Sequence, residues 1–392
     1  MLPYRPLLPP SPAVALSAAM PFPKSMGVLR HAVRLQLRFK HTARSVVFSD
    51  YGPPKDVLRV IKNEVADPQE SQVLLKLVAA PINPADINQV EGVYPSKPQF
   101  TKELGTIDPY AVGGNEGLFE VVQVGPDQET FKVGDWVLPA SASFGTWTTY
   151  KLSDPKNLIR IGTPNGLDAV AAATVAVNPS TAYRMLSDFA ALEPGDWFIQ
   201  NGGNSGVGRQ AIQLGRLWGY KSISVVRDRR DIDSLKQELL DLGADQVVTE
   251  EQIADKSIRH IIKDWTHGQD IKLALNCVGG RSAANIARQL GHSGQLVTYG
   301  GMSKQPVSLP TSLYIFKNIA SRGFWMTHWT KEHAEPRKRM ILDLLDMYRQ
   351  NELKLTGIKT HAVKSDAEEK DFLEGFLKAL GEPGKQVLLV DR

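Results

Sequence analysis

The stretch Trp197-Phe-Ile-Gln-Asn-Gly-Gly-Asn-Ser-Gly-Val-Gly208 leaves an apolar strand candidate, crosses a glycine-rich turn and enters an amphipathic helix. A chain that passes close over a pyrophosphate needs residues without a Cβ, and the helix that follows aims free N–H groups at the phosphates. Gly202, Gly203, Gly206 and Gly208 supply such positions. Their spacing is G-x-x-G-x-G rather than the usual G-x-G-x-x-G, so the pattern alone decides little. The surroundings decide more. Strand candidates Ser222–Arg227, Gln246–Val248, Leu273–Asn276 and Gln295–Tyr299 follow, with helical stretches Gly206–Trp218, Ile232–Leu242 and Ser282–Leu290 among them. Alternation of this kind implies right-handed βαβ units and a doubly wound parallel sheet of Rossmann type. A plain glycine loop is the competing reading.

The second strand of such a sheet ends beside the ribose of a bound dinucleotide, where an NAD enzyme usually places an acid. Here that strand runs into Arg227-Asp-Arg-Arg230. Guanidinium groups make forked, charge-assisted bonds to phosphate, so Arg227 and Arg229 favour the 2′-phosphate of NADP. Asp228 keeps open a bond to a 2′-hydroxyl, and a solvated charge run is the bland alternative. Two later strand ends carry glycines at the ligand-binding edge, in Asn276-Cys-Val-Gly-Gly280 and Tyr299-Gly-Gly-Met302. Cys277 reads as a small packing residue, because no partner base is near it in sequence.

Upstream, Val46–Phe48, Leu58–Ile61, Val73–Ala80, Gly117–Val124, Trp136–Pro139 and Gly145–Tyr150 are short β-type runs, with Gly134-Asp135 as a turn. They have the texture of an irregular, mostly antiparallel β domain. Downstream, Ile319–Trp325 reads as an edge strand. Two helices follow (His333–Asn351 and Glu368–Leu380), then a final strand, Gln386–Val390, that should return to the β domain. The divisions expected are 1–43 presequence, 44–175 catalytic β domain, 176–328 NADP-binding domain and 329–392 C-terminal segment.

Residues 1–49 hold no Asp or Glu and seven basic residues, the last of them Lys40 and Arg44. Removing those seven turns the formal charge of +4 into about −3, so nothing points to nucleic-acid binding. An Arg-rich, acid-free, Ser-containing start reads as a mitochondrial transit peptide. A basic tail and a secretory signal near Ala13–Met20 are the alternatives. Arg30, Arg34 and Arg38 would share one helix face. The prolines in Pro6–Pro23 rule out a membrane span there. A single cysteine excludes a disulfide framework and a cysteine-rich zinc site.

From about Arg44 onward the chain resembles the medium-chain dehydrogenase/reductase superfamily. The zinc-dependent members carry a G-H-E motif, which here reads Gly113-Gly-Asn-Glu-Gly117 with Asn115 in the histidine's place. Catalytic zinc needs three N, S or O protein ligands, so the resemblance is to a zinc-free branch. It narrows further on Asn83-Pro-Ala-Asp-Ile-Asn88, Glu91-Gly-Val-Tyr-Pro95, Val177-Asn-Pro-Ser-Thr-Ala-Tyr183, Asn204-Ser-Gly-Val-Gly208, Val226-Arg-Asp-Arg229, Tyr299-Gly-Gly-Met302, Arg322-Gly-Phe-Trp325 and Lys385-Gln386. These look like the mitochondrial 2-enoyl thioester reductases, the enoyl-acyl-carrier-protein reductases of mitochondrial fatty acid synthesis.

That resemblance implies a GroES-like catalytic domain, NADPH without metal, and Tyr94 as the catalytic acid. It also implies an NADPH site lined by Asn178, Asn204, Ser205, Gly206, Val207, Arg227, Asp228, Arg229, Tyr299, Gly300, Gly301, Met302, Phe324, Trp325, Met326 and Lys385. The substrate would be an enoyl thioester on acyl carrier protein or coenzyme A, in the mitochondrial matrix. A homodimer through the edge strand is implied too. Reduction places hydride on C3 and a proton on C2, and a tyrosine of ordinary pKa, about 10, is protonated near neutrality and can deliver that proton. Glu116 and Asp135 read as structural. Arg337-Lys-Arg339 reads as a solvated helix face or, less simply, as a dock for an acidic carrier. A zinc-free NADPH quinone oxidoreductase and a non-catalytic NADPH sensor remain as alternatives.

Overall fold

The computed structural model describes residues 39–391. In the N-terminal half, β-branched and aromatic runs between Gly, Pro and Asp turns form eight strands. These are β1 (Phe39–Phe48), β2 (Arg59–Ala66), β3 (Val73–Ile82), β4 (Ala111–Val112), β5 (Leu118–Val124), β6 (Trp136–Pro139), β7 (Tyr150–Ser153) and β8 (Leu158–Gly162). The second half contributes β9 (Trp197–Asn201), β10 (Lys221–Val226), β11 (Gln246–Thr249), β12 (Ile271–Asn276), β13 (Leu290–Thr298) and β14 (Ala320–Gly323). The chain closes with β15 (Ile358–Val363) and β16 (Lys385–Val390).

The six strands of the second half pair in parallel in the order β11-β10-β9-β12-β13-β14. This is the doubly wound arrangement, and its order reverses between β9 and β12, the point at whose strand ends such sheets bind ligands. Helices cover both faces, so successive residues alternate between two apolar layers. Phe198, Leu275 and Val297 face Met185, Leu214 and Leu344, while Ile199, Ala274 and Leu296 face Ile258, Ile262 and Ile286. The glycine turn sits at the end of β9 and is shaped by its neighbours. Gly202 adopts a φ of +59°, and a Cβ there would come 2.5 Å from the Cys277 sulfur. A Cβ on Gly208 would meet the carbonyl oxygens of Gly202 and Gly203 at 2.7 Å, so only glycine lets the helix Gly206–Leu217 close onto the turn.

The other half builds two sheets. One is three-stranded, β2-β1-β4, and the larger runs β15-β16-β3-β5-β6-β8 with β7 also on β3. β16 pairs antiparallel with β3, so the last strand does return to the β half, accompanied by β15, which the sequence pattern did not reveal. The helix Ala334–Arg349 buries Met340, Ile341, Leu344, Leu345 and Tyr348 in the same apolar cluster as the helices Ala169–Thr174 and Asn178–Asp188, tying the halves together.

Several expectations need correction. The boundary at Ala43 falls inside β1, whose residues His41, Thr42 and Ala43 pair with Val65, Glu64 and Asn63. Arg44 is buried, and its guanidinium donates to the carbonyls of Ser365, Asp366 and Ala367, so it belongs to the fold rather than to a basic leader. The presequence expectation for residues 1–38 lies outside the described residues. Gly145–Tyr150 is not one strand: Trp147 and Thr149 bond to β1, and β7 begins only at Tyr150, because this segment crosses from one sheet to the other. The edge strand stops at Gly323, and Met326–Glu332 is helical. Arg337 is no surface cation. It is buried, burial pushes it down to about 10, and it donates to the carbonyls of Pro139 and Ala140 at the end of β6. No helix among the described residues is long and apolar enough to cross a membrane.

Candidate active site

The crevice is floored by an asparagine pair at the ends of β9 and β12. Asn201 Nδ2 donates to Asn276 Oδ1 at 2.8 Å and to Ser282 Oγ at 3.0 Å, and Asn201 Oδ1 accepts from the Cys277 amide at 2.8 Å. Asn276 Oδ1 also accepts from the amides of Val278 and Gly279. The segments after β12 and β13 run side by side, with Met302 N donating to Cys277 O and Ser303 N to Val278 O. Cys277 is buried beneath Gly202, as a packing residue should be, and burial raises its thiol above the usual range. Burial likewise lifts the Tyr299 phenol well above its ordinary value.

Above this floor the structure fits a dinucleotide phosphate. Ser205 caps the helix by accepting from Gly208 N at 3.1 Å, while the amides of Gly206 and Val207 take no partner among the described residues. Unpartnered N–H groups at a helix start, reached across glycines, are an anion site. Asn178, at the start of its own helix, packs so closely on Gly206 that a side chain there would collide with its carboxamide. Arg227 to Arg230 are exposed at the end of β10. Neither Arg227 nor Arg229 is in an ion pair among the described residues. Asp228 Oδ1 accepts from the Arg229 amide at 2.8 Å, so this carboxylate folds back on its own turn.

Tyr94 comes from the other half, on the loop after the helix Pro84–Val90. Its ring meets the Trp325 indole edge to face at 5.9 Å, and Trp325 Nε1 donates to the Tyr94 hydroxyl at 2.7 Å. An indole N–H can only donate, so the phenol oxygen accepts here and the phenol proton stays free for another acceptor. Phe324 packs edge to face on Phe189 at 5.7 Å, which gives it a packing role beside any contact with a ligand.

Lys385 is placed differently from the rest. Its ammonium lies 2.5 Å from Asn83 Oδ1 and 3.6 Å from Glu116 Oε2, inside the β half, and burial pulls it below its usual range. Around it is a set of residues that motif reading did not assemble: Asn83, Asp86, Gln89, Asn115 and Glu116. Asp86 accepts from three N–H groups, those of Asn83 N, Asn115 N and Asn115 Nδ2. Burial raises it to about 6, and the three donors hold the ionised form at neutral pH. The available signal was polar residues at positions 83, 86 and 89, three apart, which places them on one face of a short helix. Asn115, where a zinc-dependent relative has histidine, is committed to Asp86, Gln89 and the Ser143 amide. Asp135, expected to be structural, pairs with Arg160 Nε at 2.6 Å across β6 and β8. Among the described residues, no three His, Cys, Asp or Glu side chains gather at metal-binding spacing.

Comparison with known proteins agrees with this geometry. The alcohol dehydrogenase GroES-like domain family matches residues 69–185, and the zinc-binding dehydrogenase family matches residues 206–341. A mitochondrial enoyl-acyl-carrier-protein reductase of Yarrowia lipolytica is 49% identical over 349 residues, covering 89% of this chain and 91% of its own. The structure of the Etr1p complex with NADP and crotonyl-CoA is 42% identical, with a TM-score of 0.85 over 89% of this chain and 100% of that one. The Candida tropicalis mitochondrial 2-enoyl thioester reductase Etr1p/Etr2p heterodimer is 43% identical, with a TM-score of 0.85 and the same two coverages. With a cleft of this construction and identity of this extent over nearly nine-tenths of its length, the chain belongs to the mitochondrial enoyl-acyl-carrier-protein reductase family of medium-chain dehydrogenase/reductases.

Proposed function

We propose that this protein is a mitochondrial NADPH-dependent reductase of trans-2-enoyl thioesters, carried on acyl carrier protein or coenzyme A, acting in the last reductive step of mitochondrial fatty acid synthesis. The observation that carries the reading is Tyr94, held by the Trp325 indole at 2.7 Å with its own proton free, facing the dinucleotide crevice from the opposite half. NADPH, when bound, supplies the hydride that reaches C3. Gly206, Val207 and Ser205 would hold the pyrophosphate and Arg227 and Arg229 the 2′-phosphate, while Tyr94 would give its proton to C2. Trp325 keeps the phenol oxygen bonded as its proton leaves, which stabilises the charge that develops there. We assign residues 44–175 to the catalytic domain, with β1 extending it to residue 39, residues 176–328 to the cofactor domain, and 329–391 to a segment serving both.

The experiment is NADPH oxidation with crotonyl and decenoyl thioesters against a benzoquinone. Faster turnover, by kcat/KM, on the thioesters supports the assignment, and preference for the quinone overturns it.

The outer strand of the parallel sheet supports assembly as a homodimer. Among the described residues β14 pairs on one side only, with β13, and the preceding helix Thr311–Lys317, which packs on β13, exposes Tyr314, Ile315 and Phe316, at 44%, 66% and 77%. An open edge flanked by apolar side chains is a surface for a second copy. Sedimentation of the wild type should give a dimer, and Ile315→Asp with Phe316→Asp should shift it toward monomer. A wild-type monomer at micromolar concentration would refute this interface.

A further inference from the structure

The loop that carries Tyr94 is gripped from below by one side chain. Gln89, 3% exposed, donates from Nε2 to the carbonyl of Ser96 at 2.7 Å and to Ser143 Oγ at 3.1 Å. On the other side of the loop, the carbonyl of Asn88 accepts from the amides of Val93 and Tyr94. Tyr94 is therefore clamped on both flanks by adjacent residues of one short helix. Gln89 Oε1 accepts from Asn115 Nδ2 at 2.6 Å, and the same nitrogen donates to Asp86. Asp86 in turn caps the helix start at Asn83, whose side chain joins Lys385 to Glu116. Glu116 Oε1 then accepts from the amide of Val177 at 2.8 Å, next to Asn178 in the cofactor cleft.

These bonds form an unbroken, partly buried path from the Tyr94 loop to the residue before Asn178. The polar atoms along it are partnered, with good lengths, which makes the path stiff. A chain of this kind has a purpose beyond folding. Proton delivery to C2 requires the Tyr94 oxygen to be held within tenths of an ångström of its acceptor while the hydride arrives from the other half.

We propose that Gln89 is a positioning residue for the reduction, the terminal link of the Asn115–Asp86–Asn83–Glu116 path that holds the Tyr94 loop in register with the cofactor wall. The proposal rests on Tyr94 as the acid. It assigns to the space where zinc-dependent relatives carry a G-H-E histidine a different task, that of locating a phenol.

The test is a double-mutant cycle in the full-length enzyme with Gln89→Met, Tyr94→Phe and both together. It reads kcat on a crotonyl thioester, NADPH affinity and the unfolding midpoint. Gln89→Met keeps the volume and deletes the bonds to Ser96 and Asn115. It should lower kcat by about 10- to 10²-fold, the cost of a misplaced group, with NADPH affinity unchanged. In the Tyr94→Phe background it should cost nothing further, because a residue acting through Tyr94 has nothing left to position. The same loss in both backgrounds, or wild-type kcat in Gln89→Met, overturns the proposal alone. Wild-type turnover in Tyr94→Phe overturns the acid assignment and the proposal with it. Should Gln89→Met fail to fold, Gln89→Asn serves in its place, since its shorter stem cannot span Asn115 and Ser96 together.

Discussion

Tyr94→Phe is expected to lower kcat on an enoyl thioester by about 10²–10⁴-fold, the usual worth of a general acid, while leaving NADPH affinity unchanged. The substitution removes one oxygen and keeps the ring that meets Trp325 edge to face at 5.9 Å. The loop stays clamped, because its bonds to Asn88 and Gln89 involve backbone atoms on either side of Tyr94. What disappears is the proposed proton source and the acceptor for the Trp325 indole N–H. Trp325 is already 37% exposed, so water satisfies that donor at little cost. Equal falls in kcat and kcat/KM would mark an interaction made only in the transition state. Steady-state kinetics with a crotonyl thioester, beside fluorescence titration with NADPH, separates the two effects. Wild-type turnover in the variant would remove Tyr94 from the chemistry.

The second large effect is on the cofactor. Replacing both Arg227 and Arg229 with alanine should weaken NADPH binding by about 10²-fold and leave NADH binding nearly unchanged. Charge-assisted hydrogen bonds contribute about 1.5–3 kcal/mol each, and the low end applies here because both arginines are exposed and screened. Neither guanidinium forms an ion pair among the described residues, although Arg227 draws on Glu250 at longer range, and Asp228 turns to its neighbour's amide. The wild-type preference for NADPH over NADH should therefore shrink as salt is added, and the variant's should not. Titration of both proteins with each cofactor at two ionic strengths checks this. Equal loss of NADPH and NADH affinity would show that the pair shapes the site without reading the phosphate.

Most strands of the parallel sheet, and some of the β half, were legible because they are rich in apolar residues and bounded by turns or amphipathic helices. β9 and β6 were placed to the residue, and β10 to within one. Their patterns are local, so nothing distant could override them. The elements that escaped were those whose reason for existing is elsewhere in the chain. β15 is half polar, with Lys359, Thr360 and Ala362 exposed, and it is a strand because β16 offers it an edge. The segment around Trp147 has a strand's composition but serves two sheets in turn. Arg337 lay in a run of three cations that suggested solvent, yet it faces the carbonyls at the end of β6, nearly two hundred residues away.

The candidate site divides in the same way. Gly202 to Gly208, Arg227, Arg229 and Tyr299 to Met302 follow strands, and the rule that ligands bind at the carboxyl ends of a doubly wound sheet makes them candidates from sequence alone. Tyr94 was legible only by resemblance, since a tyrosine in a Gly- and Pro-bounded loop has no periodicity to give it away. Its partner Trp325 is 231 residues distant. The sequence by itself therefore determined the sheet and its glycine turn, and made Arg227 and Arg229 candidates for a 2′-phosphate, because each depends on residues within one strand–turn–helix unit. Tertiary structure alone decided that Tyr94 meets Trp325. It also decided that Lys385 joins Asn83 and Glu116, and that Gln89 holds the loop that carries Tyr94. Those contacts join residues with no local relation, and only the packing of the two halves brings their hydrogen-bonding groups within reach.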